Sequence, residues 1–144
     1  MSEFPSKRTF DIETYQNCIL VTLRGHWDTA TNISYLGELT TTLQKRNGKP
    51  FHLLVDIRAW STPDSEIDSR IRQPIQLDRR NQLSELWLED ENTNADHIAK
   101  KYFVNEAFVL ERTQDAGVFL GLASERVEPS TMAYVKSWVH AATP

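Results

Sequence analysis

The side chains that could do acid–base, nucleophilic or metal chemistry are thinly spread along this sequence. The single cysteine, Cys18, opens an apolar run and is expected to be a small core residue. His97 follows Asp96 at a predicted helix start, where a solvated first turn is favoured over half of a catalytic dyad. No histidine pairs with another at the spacing of zinc ligands: His26, His52, His97 and His140. Nucleophile-elbow and glycine-rich phosphate motifs are absent, so the sequence predicts no catalytic centre and no cofactor.

The acidic run at residues 89–91, Glu-Asp-Glu, is the one place where a cation site is conceivable. Carboxylates without a converging histidine more often form a solvated turn. We therefore predict no metal site.

Two tryptophans, Trp27 and Trp60, each come just after the end of a predicted strand. Open α/β sheets bind their ligands at this edge. The two rings could wall an apolar pocket, with Ile67 or Phe103 beneath, for a small hydrophobic molecule or a partner's side chain. The alternative is that these aromatic rings only close the core.

The elements that would position these residues begin with a hairpin. Residues 9–15 and 18–24 alternate apolar and polar side chains around a tight turn at Gln16 and Asn17. Residues 24–28 are expected to form a turn. Residues 51–57 are nearly all apolar, which predicts a central strand covered on both faces.

The first helix is predicted between Asp28 and Gly48. Asp28, Thr29 or Thr31 can cap its start, and Gly48 with Pro50 ends it. Its apolar side chains repeat at helical spacing: Ile33, Leu36, Leu39 and Leu43.

The second half of the sequence continues the alternation of helices and strands. Helices are predicted at residues 64–73, after Pro63, and from residue 93 onwards. Strands are predicted at residues 83–89, with Leu86 and Leu88 opposite Trp87, and at residues 118–123, while residues 108–112 fit a helix or a short strand. A last helix from Pro129 carries one apolar stripe that docks on the sheet: Met132, Val135, Trp138 and Val139.

Length and charge limit the class of protein. The 144 residues suit one domain, residues 1–144, with a real core. The net charge of −4, without a basic stripe, argues against nucleic acid as a partner. No apolar run is long enough to span a bilayer and the first ten residues lack the core of a signal peptide, so a cytoplasmic protein is expected.

The stretch from Cys18 to Ser65 resembles the STAS fold, the SpoIIAA-like domain of anti-sigma-factor antagonists. The family pattern is a strand with Leu-x-Gly-x-Leu-Asp, a helix, an apolar strand, Asp-Leu-Ser and then Asp-Ser-Ser-Gly. Asp56 takes the place of the Asp that ends the buried strand, and Asp64-Ser65 falls on the Asp-Ser pair. Arg58 stands where the family has a Ser, which favours a divergent branch similar in shape to CRAL-TRIO domains.

The resemblance implies that Ser65 is a candidate phosphorylation site. A serine at a helix start meets free backbone N–H groups and the positive end of the helix dipole, which favour an added phosphate. Asp64, Glu66 and Asp68 would repel that phosphate, and the alternative is a well-capped helix terminus.

Together these features predict a single-domain α/β protein of the SpoIIAA-like (STAS) fold, with a mixed sheet of about five strands. The expected function is a non-catalytic regulatory or protein-binding module whose protein partner the sequence does not identify. A carrier or sensor of a small apolar ligand is the alternative, and the hairpin's edge strand makes a homodimer plausible. The expected contact surface consists of Trp27, Asp28, Asp56, Trp60, Asp64 and Ser65.

Overall fold

The predicted hairpin begins the central sheet in the computed structural model, which describes residues 9–61, 79–96, 98–99, 108 and 110–144. Strand β1 (Phe10–Tyr15) pairs antiparallel with β2 (Cys18–Leu23), and Tyr15 lies opposite Cys18. Gln16 has a φ of 54°, the left-handed conformation that tight hairpin turns need. The hairpin is therefore confirmed.

Three further strands extend the sheet in parallel with β2, and their order in the sheet follows their order in the chain. They are β4 (Phe51–Asp56), β6 (Gln82–Leu88) and β7 (Leu110–Thr113). The short strands β3 (Gly25–His26) and β5 (Trp60–Ser61) form a separate parallel pair. The protein is thus α/β with a mixed five-stranded sheet, as predicted.

Helix α1 (Thr29–Gln44) begins at Asp28, whose side chain accepts a hydrogen bond from the Thr31 N–H at 2.8 Å. Ile33 is 46% exposed, so its place on the buried face was wrongly predicted. The other three predicted positions are buried, and in the first turn Asn32 takes the inward position, one step and about 100° around the axis from Ile33. The side chains that face the sheet are Asn32, Leu36, Leu39 and Leu43.

Helix α2 (Ala116–Ser124) occupies the segment for which the sequence predicted a strand at residues 118–123. Asp115 caps this helix by accepting from the Val118 N–H at 3.0 Å. Phe119 and Ala123 are buried four residues apart, as one helix face requires. A short apolar run fits a buried strand and a buried helix equally well. In this segment the Asp115 cap favours the helix.

Helix α3 (Pro129–Ala141) starts at the predicted proline and buries the predicted stripe of Met132, Val135, Trp138 and Val139. With α2 it covers one face of the sheet, the α3 face, which carries Cys18, Leu20, Leu54, Leu86 and Leu88. Helix α1 covers the opposite face, the α1 face, with Ile19, Val21, Leu23, Leu53, Val55 and Trp87.

Residues 24–28 hold more regular structure than the predicted turn. The N–H of Gly25, at a φ of 85°, donates to the Ala59 carbonyl at 2.8 Å, and Trp27 donates to the Ser61 carbonyl at 3.0 Å. These bonds pair β3 with β5.

The helix predicted at residues 64–73 lies outside the described residues. Of the helix predicted from residue 93, Asp96, Ile98 and Ala99 have helical backbone. In the part of the chain that the structure describes, no helix has the length and apolar character to cross a membrane. The single domain over residues 1–144 stays a prediction.

Candidate functional site

The carboxyl ends of the four parallel strands meet at one edge of the sheet, and Asp56 lies there fully buried. Arg24 donates to both carboxylate oxygens of Asp56, from Nη1 at 3.2 Å and Nη2 at 3.0 Å. Arg58 does the same from Nε at 3.0 Å and Nη2 at 2.6 Å. One carboxylate therefore holds two guanidinium groups, each through the two-bond (bidentate) contact that makes such pairs strong.

The same two arginines also bind the end of helix α3. Arg24 Nη2 donates to the Ala142 carbonyl at 2.5 Å, and Arg58 Nη2 donates to the Val139 carbonyl at 2.9 Å. The last carbonyls of a helix lack partners within it and carry the negative end of its dipole. The carboxyl end of helix α3 thus meets the excess positive charge of the cluster, and both guanidinium groups are bound within the protein.

A second ion pair joins the ends of β6 and β7. Arg112 donates from Nε to Glu89 Oε2 at 2.5 Å and from Nη2 to Asp96 Oδ1 at 2.5 Å. The hydrogen bond to Glu89 is the main cause that raises the pKa of Arg112 above its usual value. Asp90 Oδ1 accepts from the backbone N–H of Ala59 at 3.0 Å, so it shapes a turn. Among the described residues, no three His, Cys, Asp or Glu side chains come close enough to hold a metal ion.

The two tryptophans of the expected contact surface are buried on the α1 face. Trp27 is 2% exposed and Trp60 is 5% exposed, and their ring centres lie 5.4 Å apart at an angle of 87°. Trp27 Nε1 donates to the Arg24 carbonyl at 2.9 Å. The two rings pack together in the core rather than standing as open walls.

A small cavity of about 60 Å³ lies between α1 and the sheet. Trp60 lines it, whereas Trp27 is not part of its wall. Its remaining lining is mainly apolar and includes Leu36, Val55 and Ile57. A cavity that encloses benzene has about 150 Å³. This one has room for a few water molecules or a group of a few carbon atoms.

The cavity wall also contains buried groups that can form hydrogen bonds. Glu85 is buried and accepts hydrogen bonds from Arg79 Nη1 at 2.7 Å and Trp87 Nε1 at 2.7 Å. The indole N–H of Trp60 is buried and has no hydrogen-bond partner among the described residues. A buried donor without an acceptor is costly, so this N–H favours an acceptor in the cavity.

One pairing that the sequence did not predict is that of His26 with Ser61, where Nδ1 lies 2.6 Å from Oγ. Each residue ends a strand of the small sheet, and the β3–β5 register places them opposite each other. The part of the chain that the structure describes provides no carboxylate hydrogen-bonded to His26. The pair therefore lacks the third group that orients a catalytic histidine.

The outer edge of β1 borders a groove that the sequence pattern did not predict. The Thr9 carbonyl accepts a hydrogen bond from the Arg24 N–H at 2.9 Å. In an antiparallel pair the backbone hydrogen bonds recur at every second residue, so Thr9 and every second residue after it bond to β2. The backbone N–H and C=O groups of Phe10, Ile12 and Thr14 therefore point away from β2. Among the described residues, no strand pairs with this outer edge.

The groove itself has a volume of about 340 Å³ and lies between β1 and the exposed side of α1. Its walls are Phe10, Asp11 and Ile12 from the strand and Glu38, Thr41, Thr42 and Lys45 from the helix. A strand edge beside a helix is the arrangement in which several peptide-binding domains receive an extended peptide. Periodicity indicated the edge strand, but the groove depends on how α1 packs against it.

The other expected contact residues lie apart from this groove. Asp28 is exposed, and its hydrogen bond from the Thr31 backbone is the main cause that lowers the pKa of its carboxyl group. Asp56 is in the buried arginine cluster. Asp64 and Ser65 lie outside the described residues. The contact surface therefore stays a prediction, although three of its members, Trp27, Asp56 and Trp60, have buried side chains.

No protein-family model matches the sequence of this chain, and a search of the curated proteins found no match. The resemblance to the STAS family therefore stays a prediction from the sequence.

Proposed function

We propose that the protein is a non-catalytic regulatory module of the STAS type that acts by binding another protein. The observation that carries this proposal is the outer edge of β1, with which no described strand pairs, beside the groove on α1. Three residues there, Phe10, Ile12 and Thr14, point their backbone groups outwards. Backbone hydrogen bonds to such an edge supply affinity in strand addition, and side-chain pockets supply specificity. Action in the cytoplasm stays a prediction from the sequence.

A binding role is favoured over catalysis by the state of the charged groups at the carboxyl edge. Asp56 is fully buried and satisfied by Arg24 and Arg58, whose guanidinium groups bind carbonyls as well. Glu89 is likewise paired with Arg112. Groups committed in this way stabilise the fold and are poorly placed to exchange protons with a substrate.

Thr14→Pro tests the proposal with little harm to the fold. The N–H of Thr14 points outwards and its side chain is exposed, so proline there is tolerated as on other edge strands. Thr14→Val is the matched control, because it keeps the N–H. We expect proteins that co-purify with the wild type from its own host to be retained by Thr14→Val and depleted at least about tenfold by Thr14→Pro. Equal retention by both variants would contradict binding through this edge.

A small-ligand sensor is the second candidate function, favoured because Trp60 lines the cavity and its buried indole N–H has no hydrogen-bond partner in the described part of the chain. At about 60 Å³, the cavity suits a compact molecule that carries a hydrogen-bond acceptor. Native mass spectrometry of the protein from its own host tests this function. A retained small molecule that Trp60→Phe releases would support it, whereas a bare wild-type mass would count against it.

Phosphorylation of Ser65 stays a prediction as well. The same mass spectrum tests it, because a phosphorylated species is about 80 Da heavier and its modification can be mapped. A species without that added mass would count against a phosphorylation switch.

A further inference from the structure

We infer that the cavity on the α1 face receives the neutral end of a small molecule, in which an ether or ketone oxygen is flanked by one or two carbon atoms. This inference rests on the sensor function, the second candidate above, and names the chemistry of its ligand. It follows from one buried donor, from the charge balance of the cavity wall and from the size of the cavity.

The donor is the indole N–H of Trp60. Among the buried side-chain nitrogen and oxygen atoms that line the cavity in the described part of the chain, Trp60 Nε1 is the one without a hydrogen-bond partner. The other three indole nitrogens donate within the protein: Trp27 to the Arg24 carbonyl, Trp87 to Glu85 and Trp138 to Thr22. An occupant with an acceptor atom would remove the cost of leaving the Trp60 donor unsatisfied.

The two charged residues in the described wall of the cavity, Arg79 and Glu85, neutralise each other. Arg79 Nη1 lies 2.7 Å from Glu85 Oε1, and the two side chains are only 14% and 4% exposed. Glu85 also accepts hydrogen bonds from Gln82 Nε2 at 2.8 Å and Trp87 Nε1 at 2.7 Å. A charged ligand would add a buried charge without a counter-charge, which is costly, so a neutral ligand is favoured.

The size and the remaining lining of the cavity limit what can lie beside Trp60. A cavity of about 150 Å³ encloses benzene, so by proportion about 60 Å³ holds two or three non-hydrogen atoms. An isolated water molecule needs two to four polar partners, and such walls supply few. The cavity is partly open, which permits a longer ligand to place only its end inside. The aliphatic part of the wall suits carbon atoms on either side of the oxygen: Leu23, Leu36, Leu39, Leu53, Val55 and Ile57.

Dissolved dimethyl ether and propane test the inference on the full chain. The two molecules have the same size and shape, but only the ether has an acceptor, and formate is a charged molecule of similar size. We expect the ether to shift the NMR signal of the Trp60 indole N–H. The signal of Trp138, which lies on the α3 face, should stay in place and serves as the internal control. Formate should shift neither signal.

Trp60→Phe separates the hydrogen bond from simple filling of the cavity. The variant keeps an aromatic ring, and the loss of an unsatisfied buried donor should not harm folding. Binding is followed in both proteins at the amides of Val55 and Ile57, which line the cavity. We expect the dissociation constant of the ether to rise about fivefold, the effect of one hydrogen bond, and that of propane to change by less than about twofold.

The other outcomes overturn the inference in distinguishable ways. Equal weakening of the ether and of propane by Trp60→Phe would reject the acceptor chemistry, and native mass spectrometry then decides the sensor function separately. A shift of the Trp60 signal by formate would reject a neutral ligand. If neither the ether nor propane shifts signals of the cavity, or if a bound water that the ether does not displace contacts the Trp60 N–H, the cavity is not the site.

Discussion

Arg58 joins the end of strand β4 to the end of helix α3, because one of its nitrogens serves both Asp56 and Val139. Nη2 lies 2.6 Å from Asp56 Oδ2 and 2.9 Å from the Val139 carbonyl oxygen. The carboxylate is fully buried, and the guanidinium is 11% exposed. The docking of α3 therefore depends on a charged centre as well as on its apolar stripe.

We expect Asp56→Asn to destabilise the fold by about 3–5 kcal/mol, the cost of breaking a buried ion pair. The variant leaves Arg24 and Arg58 mostly buried without a counter-charge. Urea unfolding measures the effect. Glu91→Gln, which removes an exposed charge, is the control and should change stability by less than about 0.5 kcal/mol. A similar small effect of Asp56→Asn would mean that the cluster adds little to stability.

Arg58→Lys should loosen the last turn of α3 without unfolding the sheet. Lysine keeps the positive charge but lacks the planar fork that binds a carboxylate and a carbonyl together. We expect hydrogen exchange at the Ala142 and Thr143 amides to become severalfold faster, with β4 unchanged. Lys136→Arg on the exposed side of the same helix should change neither. Uniformly faster exchange across the sheet would instead indicate a loss of global stability.

Local sequence patterns predicted the elements whose periodicity or cap was decisive. The hairpin, α1, β4, β6 and α3 follow from alternation, from the Asp28 cap and from the stripe that ends at Val139. Residues 118–123 were assigned wrongly, because six apolar or small residues in a row have no periodicity to separate helix from strand. The cap at Asp115 carries that information, but it lies in a predicted turn.

Local sequence patterns could not predict the features of the candidate site that bring distant parts of the chain together. Asp56 was predicted as a contact residue, but Arg24 reaches it across 32 positions and Val139 completes the cluster from farther still. Trp27 follows the end of β3, whereas Trp60 begins β5 a few residues after the end of β4, and tertiary packing buries both rings. The peptide groove likewise exists only once α1 has packed beside β1.

The Cys18 thiol should resist modification in the folded protein. It is fully buried, and burial raises its pKa to about 11, so little reactive thiolate forms near neutral pH. We expect a thiol reagent at about pH 8 to label it at least about 100-fold more slowly than an exposed cysteine introduced by Ser124→Cys. Urea should abolish the difference. Rapid labelling without urea would show that β2 opens readily.

The contribution of Tyr134 to stability should fall at high pH. Its folded-state pKa of about 12 lies above the ordinary value of 10.0, so the folded protein holds the phenolic proton more tightly than the unfolded chain does. The stabilisation is therefore complete below about pH 10 and is lost as the pH approaches 12. Unfolding free energies should differ less between the wild type and Tyr134→Phe at about pH 11 than at about pH 9. An equal difference would contradict the hydrogen bond to Glu13.

The order of strands along the chain has a consequence for synthesis on the ribosome. Every strand of the sheet is made before α2 and α3, which alone cover the α3 face among the described residues. At roughly 5–20 residues per second, the 26 positions from 116 to 141 take about 1–5 s to emerge. During that interval the apolar α3 face of the sheet is exposed on the nascent chain, because the helices that cover it have not yet been made. The need for chaperones in the cell is therefore concentrated in the interval between the synthesis of β7 and that of α3.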